Sequence, residues 1–429
     1  MSVTSTDQLV EDYRASHPGS AELHQRASDF FAARGATHFA RVSAPFRPYI
    51  THALDARKWD VDGNEYIDYV MGHGALILGH GHPAILEAVQ QQLVRGVHFG
   101  DNHALEVEWA GLIRGLMPAA ERIEFFACGQ EANLMGIRLG RLFTGRRQLL
   151  RFRWNYHGWA DELAGPLAAG TVADQVTLIP PNDLDLLEEH LSRREYAVLL
   201  IEGGGGYLAG RVPIAAEFYQ ALPELTRKYG TVLLLDEVVT GFREAPGGWQ
   251  SVVGIEPDLT SIGKAVSGGL PAGGLLGRAA LFEALNPNNA RDRLVVHGGT
   301  WNALPLTCAA GIAACRLYQD GSPQRAALKM AERLKALGND VLQRRGVTGR
   351  LYGRSAVHLG FGAEGQETSP ETLQAHRRLD LHLLHRGVST LLGEVFVLSS
   401  AHSRADVDQT VSAFDQSIGA MLEEGTLCR

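Results

Sequence analysis

The sequence predicts an α/β fold built on a mainly parallel sheet. Between about residues 120 and 305, short apolar segments at 198–201, 232–235 and 259–262 alternate with stretches of helical spacing, the order expected of parallel strands covered by helices. Hydrophobic residues make up 45% of the chain and charged residues 21%, a mixture typical of globular proteins rather than of disordered chains or coiled coils. Glycine accounts for 49 of the 429 residues and is concentrated at predicted strand-to-helix turns, where a backbone often lies close to a ligand.

The elements that precede this region are predicted from turn and helix-start signals. Residues 1 to about 50 are expected to form a helix and an arm, and 58–68 a hairpin whose turn lies at 62–64, Asp-Gly-Asn. A helix is expected to start with Pro83 at its first position, and its apolar stripe contains Ile85, Leu86, Val89 and Leu93.

The elements that follow it predict a second, smaller unit. Ser322 with the proline after it is typical of a helix start, and Ser403 with Asp406 gives a capping-box signal. These elements and the first residues of the chain are expected to form one small α/β domain. The expected division is therefore an N-terminal arm and part of the small domain (1–75), a large domain (76–305) and the C-terminal part of the small domain (306–429).

Charge and composition exclude several classes of function. The chain has 40 Lys and Arg against 48 Asp and Glu, a net charge of -8, so no nucleic-acid partner is expected. The polar N-terminus and the absence of any run of 18 apolar residues predict neither a signal peptide nor a membrane span. The four cysteines lie far apart, which favours reduced thiols over a disulfide framework or zinc site. A cytoplasmic enzyme is expected.

The strongest chemical signal is a carboxylate and an amine at the ends of two predicted strands. The segment Leu233-Leu234-Leu235-Asp236-Glu237 is followed by Ser261-Ile262-Gly263-Lys264 and by the glycine-rich run 268–274. Ligands bind at the carboxyl ends of strands in α/β sheets, so Asp236 and Lys264 could face one cofactor. The alternative is that both are ordinary surface residues, and the small residues after Lys264 count against it because they leave room for a planar ring and its phosphate.

Taken together, these segments and several others resemble class III pyridoxal-phosphate aminotransferases. The likeness runs over nearly the whole chain, through the segments at 59–64, 79–83, 156–158, 233–243, 261–264, 297–300 and 401–402. The group includes glutamate-1-semialdehyde aminomutase and β-amino-acid aminotransferases. The resemblance implies fold type I, with pyridoxal 5'-phosphate as cofactor.

The resemblance also implies roles for individual residues. Lys264 would bind the cofactor aldehyde covalently and then move a proton between the substrate Cα and the cofactor, helped by a pKa that burial lowers. Asp236 would keep the pyridine nitrogen protonated so that the ring can withdraw electrons. Val238 and Tyr156 would lie against the two faces of the ring, and His157 belongs to the same cofactor-binding segment.

The expected phosphate site departs from the pattern of the family. Relatives usually read Ser-Gly-Thr-Glu-Ala before a helix, whereas this chain has Cys128-Gly129-Gln130-Glu131-Ala132. Backbone N–H groups at a helix N-terminus bind phosphate whatever the side chains, so Gly129 and Gln130 are expected to keep the role while one or two hydroxyl contacts are lost. Cys128 is either a reactive thiol or, as we favour, a small residue before the turn.

By resemblance, Thr300 would reach the phosphate of the other subunit's cofactor, which implies a homodimer with shared active sites. Gly79-His80-Gly81-His82-Pro83 could suggest a metal pair, but the same order starts a helix in the family, so no metal is expected.

The substrate end of the site is less well defined by the sequence. Glu202 is followed by glycine instead of the usual proline, and Glu394 stands where some relatives place a carboxylate-binding arginine, matching the aminomutase branch. Arg41 lies near a carboxylate-binding arginine of the aminomutases and β-amino-acid aminotransferases, or is a solvated residue of the arm. Trp159 and Trp301 flank the cofactor motifs and either line a pocket or serve packing.

The main functional expectation is therefore a ping-pong aminotransferase. It would move an amino group from an amine or amino acid, including a β-amino acid, to a 2-oxo acid, because the long Gly/Ser-rich insertion usual in aminomutases after Tyr-His-Gly is missing here. The alternatives are a glutamate-1-semialdehyde-type aminomutase and an amino-acid racemase or epimerase on the same scaffold. A cofactor-binding protein without turnover is disfavoured by the intact Asp236 and Lys264.

Overall fold

A computed structural model describes residues 7–36, 43–166, 168–206, 208, 210–290, 292–362 and 369–428. These residues form two compact units. Of the described residues, one unit contains those up to residue 73, those at 78–82 and those from residue 326; the other contains those at 74–77 and between 83 and 325. Among the described residues, no helix is both long enough and apolar enough to cross a membrane. All four cysteines are free.

The unit that spans residues 83–325 is built on a seven-stranded sheet. The strand order is β4-β10-β9-β8-β7-β5-β6; β6, β5, β7, β8 and β9 run parallel, and β10 lies antiparallel between β9 and β4. The strands are β4 (Arg122–Phe126), β5 (Gln148–Phe152), β6 (Val176–Ile179), β7 (Tyr196–Glu202), β8 (Val232–Glu237), β9 (Leu259–Gly263) and β10 (Gly273–Gly277). The expectation of an α/β fold with a mainly parallel sheet is confirmed.

Helices cover both faces of this sheet, so both faces carry apolar side chains. On one face α5 packs against Leu200, Leu234 and Leu259, and on the other α7, α8 and α9 pack against Leu199 and Leu233. The helices of the unit are α3 (Pro83–Leu93), α4 (Ala104–Leu116), α5 (Gly129–Thr144), α6 (Asp161–Ala164), α7 (Leu184–Ser192), α8 (Ala216–Tyr229), α9 (Gly248–Val253), α10 (Ala279–Phe282) and α11 (Pro305–Tyr318).

In the other unit, the described residues form two smaller sheets and five helices. One sheet has the order β1-β2-β3-β13, with β13 parallel to β3, and the other is an antiparallel sheet of β11-β12-β14. The strands are β1 (Ile50–Leu54), β2 (Arg57–Asp60), β3 (Glu65–Asp68), β11 (Gly349–Gly353), β12 (Ala356–Phe361), β13 (Val388–Ser389) and β14 (Val395–Val397). The helices are α1 (Gln8–Ser16), α2 (Pro18–Phe30), α12 (Ser322–Arg345), α13 (Pro370–His385) and α14 (Arg404–Glu423).

Most of the local predictions match these elements. The hairpin is β2 paired with β3, α3 starts at Pro83, α12 starts at Ser322, and Ser403 with Asp406 forms the capping box of α14. The N-terminal segment holds two helices rather than one, because Pro18 has no N–H with which to continue α1 and instead occupies the first position of α2.

The expected domain boundaries lie at 75/76 and 305/306, whereas the compact units divide at 73/74, 77/78, 82/83 and 325/326. Helix α11 begins at residue 305 yet belongs to the unit of the seven-stranded sheet, since it packs against α3 and α4. The domain boundaries stay a prediction.

A buried carboxylate joins the end of β8 to α9. Both oxygens of Glu237 accept hydrogen bonds: one from Gln250 N (3.0 Å) and Gln250 Nε2 (3.1 Å), the other from Thr240 Oγ1 (3.0 Å) and Trp249 N. Burial raises the pKa of this carboxyl, and the four donors oppose that rise. Glu237 thus fixes the turn after β8 by satisfying backbone groups at the start of α9.

We expect the substitution Glu237→Gln to lower the free energy of unfolding by about 3 kcal/mol, because one acceptor oxygen becomes an NH₂ group that faces two donors. Urea-induced unfolding measures the change. The control is Glu189→Gln on the exposed face of α7. The contact of Glu189 with Arg193 lies on the surface, and its loss should change the free energy of unfolding by less than about 0.5 kcal/mol. Equal, small effects for both variants would contradict the structural role of Glu237.

Candidate active site

Three polar side chains lie in register across the carboxyl ends of β7, β8 and β9. Glu202 pairs with Asp236, and Asp236 pairs with Ser261. Each stands two residues after a leucine of the face that α5 covers, and side chains alternate along a strand, so all three project toward α5. The apolar face of the sheet therefore turns polar at this edge.

The carboxylate of Asp236 is buried and held by three donors. Its Oδ2 accepts hydrogen bonds from Asn133 Nδ2 and His157 Nδ1, each at 2.7 Å, and its Oδ1 accepts one from Val238 N at 2.9 Å. Asn133 is itself oriented by Ser261, whose Oγ donates to Asn133 Oδ1 at 2.6 Å. The chain Ser261, Asn133, Asp236 and His157 crosses from β9 through α5 to the segment after β5.

His157 is neutral in this arrangement. Burial lowers the pKa of the imidazole, although the hydrogen bond to Asp236 and its charge oppose the shift. Because Nδ1 donates to Asp236, the neutral ring has its lone pair on Nε2, and that buried atom has no hydrogen-bond partner among the described residues. His157 therefore acts as a neutral donor that orients Asp236.

Lys264 follows β9 and lies at the same edge of the sheet. It has a left-handed backbone (φ 46°), unusual for a residue with a side chain, and starts a short 3₁₀ turn. Its amine has no hydrogen bond or ion pair with any described residue. Burial lowers the pKa of the amine, the charges of Asp236 and Glu202 oppose this, and Arg243 adds to it. Such an amine is more readily neutral and nucleophilic than an exposed lysine.

A buried arginine shapes the surroundings of Lys264. Arg243 donates from both Nε (3.0 Å) and Nη2 (2.9 Å) to the carbonyl oxygen of Gly74. Gly74 has a φ of 93°, and a Cβ there would lie 3.9 Å from Lys264 Cδ. Arg243 thus holds a backbone carbonyl beside the lysine side chain.

The N-terminus of α5 approaches the same edge. Cys128 is the exposed N-cap residue, and Gly129 lies so close to β8 that a Cβ would be 2.3 Å from Val238 Cγ2. A glycine is required at 129 for this close approach. The first N–H groups of a sixteen-residue helix are therefore beside Val238 and Gly263, where the helix dipole favours an anion.

The segment 155–159 after β5 completes the site. Glu202 Oε2 accepts from Tyr156 N at 3.0 Å, and Asn155 Oδ1 accepts from Glu202 N at 2.8 Å. The side chains of Tyr156 and Trp159 are 55% and 79% exposed. The segment therefore presents aromatic surface at the edge of the sheet where Asp236 lies.

Most of the chain matches one enzyme family. The family model "Aminotransferase class-III" matches residues 39–390. The chain belongs to the class III aminotransferases. This confirms the resemblance found in the sequence, together with fold type I and pyridoxal phosphate as cofactor.

Individual members of the family resemble the chain over most of its length. A glutamate-1-semialdehyde 2,1-aminomutase of Chloroflexus aggregans is 32% identical and is matched over 94% of this chain and 99% of its own. The crystal structure of an omega-transaminase from Sphaerobacter thermophilus is 31% identical with a TM-score of 0.87, over 95% of this chain and 99% of its own. A β-phenylalanine aminotransferase from Variovorax paradoxus is 30% identical with a TM-score of 0.87, over 97% and 98%.

The residues at the site fit pyridoxal phosphate. Asp236 offers an oriented carboxylate for a ring N–H, Lys264 offers a buried amine for an aldehyde, and α5 offers its N-terminal N–H groups for a phosphate. In this class III aminotransferase the polar edge of the sheet is therefore a suitable place for the cofactor.

The remaining predicted site residues are Thr300, Trp301, Arg41 and Glu394. Thr300 is exposed, and its carbonyl oxygen accepts a hydrogen bond from His98 Nε2 at 2.6 Å. Trp301 packs edge-on against His98 and is also exposed. Arg41 lies outside the described residues, and Glu394 is partly buried in the unit of the two smaller sheets. His80, in the segment Gly79-His80-Gly81-His82-Pro83, is hydrogen-bonded to Asp68.

Sequence reasoning missed the residues that support the site. Asn133 and Ser261 are polar residues in an apolar helix face and an apolar strand, a pattern that signals a buried polar contact. Arg151 is buried in β5 and donates to the carbonyl oxygen of Asn155 at 3.2 Å, and burial lowers the pKa of its guanidinium to about 10. Arg243 ends the segment that carries Asp236, but nothing in the sequence indicates its partner Gly74.

We expect the amine of Lys264 in the cofactor-free protein to titrate at lower pH than the amine of Lys228. Burial lowers the pKa of Lys264, whereas the hydrogen bond to Glu188 raises that of exposed Lys228. Reductive methylation with ¹³C-formaldehyde followed by an NMR titration measures both, and the Lys264→Ala variant assigns the signal. A Lys264 signal that titrates with or above that of Lys228 would contradict the burial of this amine.

Proposed function

We propose that Lys264 and Asp236 perform amino-group transfer with pyridoxal phosphate. The observation that carries the proposal is the placement, at the ends of adjacent parallel strands, of an amine that no described residue binds and a carboxylate held by three donors. When bound, the cofactor withdraws electrons from the substrate carbon that loses a proton. The protein must then supply a base, a partner for the ring nitrogen and an anchor for the phosphate.

Each of these tasks has a residue in the cluster. Lys264 Nζ takes the proton from one carbon and returns it to another, for which its lowered pKa is suited. Asp236 accepts a hydrogen bond from the ring nitrogen and keeps it protonated, while Asn133 and His157 prevent the carboxylate from rotating. Val238 and Tyr156 confine the ring, and the N-terminus of α5, with Cys128, Gly129 and Gln130, binds the phosphate. Glu202 holds the Tyr156 backbone in place.

For the substrate, we propose the amino aldehyde of a glutamate-1-semialdehyde-type aminomutase. The curated relatives carry this name, with 32% identity over 94% of this chain in one case and 36% over 87% in another. They favour this alternative over the intermolecular aminotransferase that the sequence first suggested. In this reaction the amino group moves from C2 to C1 of one molecule, so no second substrate is consumed.

The second candidate is transfer of an amino group from an amine or β-amino acid to a 2-oxo acid. It is supported by the solved omega-transaminase and β-phenylalanine aminotransferase at 31% and 30% identity. The short segment after Gly158 also favours it, since the described residues between Gly158 and β6 contain only the single-turn helix α6.

Both candidates have a substrate carboxylate, which needs a cationic partner. Arg41 remains the proposed partner. In the same segment Arg47 is already paired: it contacts Asp380 at 2.6 Å and donates to the carbonyl oxygen of Thr390 at 3.0 Å. Trp159 and Glu394 are the other residues proposed to contact substrate.

We also propose a homodimer. Large apolar side chains are exposed along α3, the segment after it and α4, and apolar side chains exposed to water favour association with a second subunit. They are Leu86, Leu93, Val94, Val97, Phe99 and Val107. The exposed position of Thr300 is compatible with a contact to a second subunit's cofactor. A cytoplasmic location stays a prediction from the sequence.

A comparison of two assays separates the candidate reactions. The holoenzyme is given glutamate-1-semialdehyde with no 2-oxo acid, and separately β-phenylalanine with 2-oxoglutarate, and the products are separated by chromatography. An aminomutase forms 5-amino-4-oxopentanoate in the first assay, whereas an aminotransferase forms glutamate only in the second. Activity in the second assay alone would replace the proposed substrate, and activity in neither would contradict both. Lys264→Ala serves as the inactive control.

We expect Asp236→Asn to lower kcat/KM by roughly a hundredfold or more, equivalent to about 3 kcal/mol, because an amide does not keep the ring nitrogen protonated. The amount of bound pyridoxal phosphate, released and measured separately, should change much less. Ser261→Ala is the matched control, since its hydroxyl reaches Asp236 only through Asn133, and it should lose less than tenfold. A nearly normal rate for Asp236→Asn would mean that another residue holds the ring nitrogen.

A further inference from the structure

The segment 155–159 has no regular secondary structure, yet its backbone is held at several points by side chains. Tyr156 N is bound by Glu202, the carbonyl oxygen of His157 by Asn133 Nδ2 at 3.0 Å, and Trp159 N by Gln130 Oε1 at 2.6 Å. Glu202 and Asn133, which make the first two contacts, also lie beside Asp236: Glu202 pairs with it across the strands, and Asn133 donates to its carboxylate. The third comes from the residue at which this chain departs from the usual phosphate motif.

The Gln130 side chain lies close to Gly158 as well as to Trp159. A Cβ on Gly158 would lie 2.5 Å from Gln130 Oε1 and 2.6 Å from Gln130 Cγ, so no larger residue fits there without moving Gln130. Gly158 has a φ of 134°, which also favours glycine. The backbone of residues 158–159 therefore lies directly on the Gln130 side chain.

The glutamine side chain suits this contact because it carries an acceptor oxygen and is long enough to reach Trp159 N. A backbone N–H requires an acceptor, which in glutamine is the side-chain oxygen. The hydroxyl of threonine, usual at this position in relatives, is attached directly to Cβ and ends two bonds sooner. A threonine at 130 would therefore leave Trp159 N without the partner that glutamine provides.

We propose that Gln130 is a positioning residue that latches the segment 155–159 onto the first turn of α5 through the backbone N–H of Trp159. The latch fixes the end of the segment that presents Trp159, whereas Glu202 holds Tyr156, and so it orders one side of the site before any ligand binds. It goes beyond the proposed function, since it operates in the cofactor-free protein and does not depend on which amino transfer occurs.

Hydrogen–deuterium exchange of the cofactor-free protein at single-residue resolution tests the latch. Gln130→Met keeps the length of the side chain but removes the amide oxygen, and Gln130→Thr introduces the residue of the relatives. In both variants the amide of Trp159 should exchange roughly five- to tenfold faster, the change expected when one hydrogen bond is lost. The amide of Tyr156, held by Glu202, should change little and serves as the internal reference.

Two further variants distinguish a latch from a general loss of structure. Gln130→Glu keeps an acceptor at the same distance along the side chain, so it should restore the slow exchange of Trp159. Glu131→Ala removes the neighbouring side chain, which accepts from Ala127 N at 2.9 Å, and should leave Trp159 unchanged. Unchanged exchange in Gln130→Met, equal protection in Gln130→Thr, or failure of Gln130→Glu to restore protection would each overturn the proposal.

Discussion

A negative charge buried at the end of β8 determines much of what surrounds it. An ionised carboxylate without partners costs several kcal/mol in a protein interior, so Asp236 must be surrounded by donors. Two of its three donors come from other elements: Asn133 from α5 and His157 from the segment after β5. To satisfy one charge, the fold has to bring a helix and a loop to fixed positions on the sheet, and these are the parts that the cofactor needs.

The same requirement explains how an irregular segment is kept in one conformation. Backbone groups that lie outside helices and strands still need partners when they are shielded from water. In residues 155–159 those partners include the side chains of Glu202, Asn133, Gln130 and Arg151. An active-site loop supported in this way is ordered by the scaffold beneath it, and the aromatic rings that it carries remain exposed on its outer side.

The adjacent residues Asp236 and Glu237 have different roles because they lie on opposite faces of the sheet: one can bind a ligand group, and the other stabilises the fold. Successive side chains point to opposite faces, so Asp236 lies on the face of α5 and Glu237 on the face of α9. One carboxylate is left with the capacity to bind a ligand group, whereas four donors fully occupy the other. Two residues of the same chemistry, next to each other in the sequence, therefore have unrelated roles.

The sequence alone determined the α/β class, the parallel strands and the family, because hydrophobic periodicity, turn residues and short motifs depend only on near neighbours in the chain. It also identified Lys264 and Asp236, which stand at predicted strand ends. Only the tertiary structure showed that Asn133, Ser261 and His157 support Asp236, that Arg243 holds Gly74 beside the lysine, and that Gln130 contacts Trp159. Those contacts join residues far apart in the chain, so which donor meets which acceptor depends on the register of the strands and the placement of α5, and no local pattern encodes either.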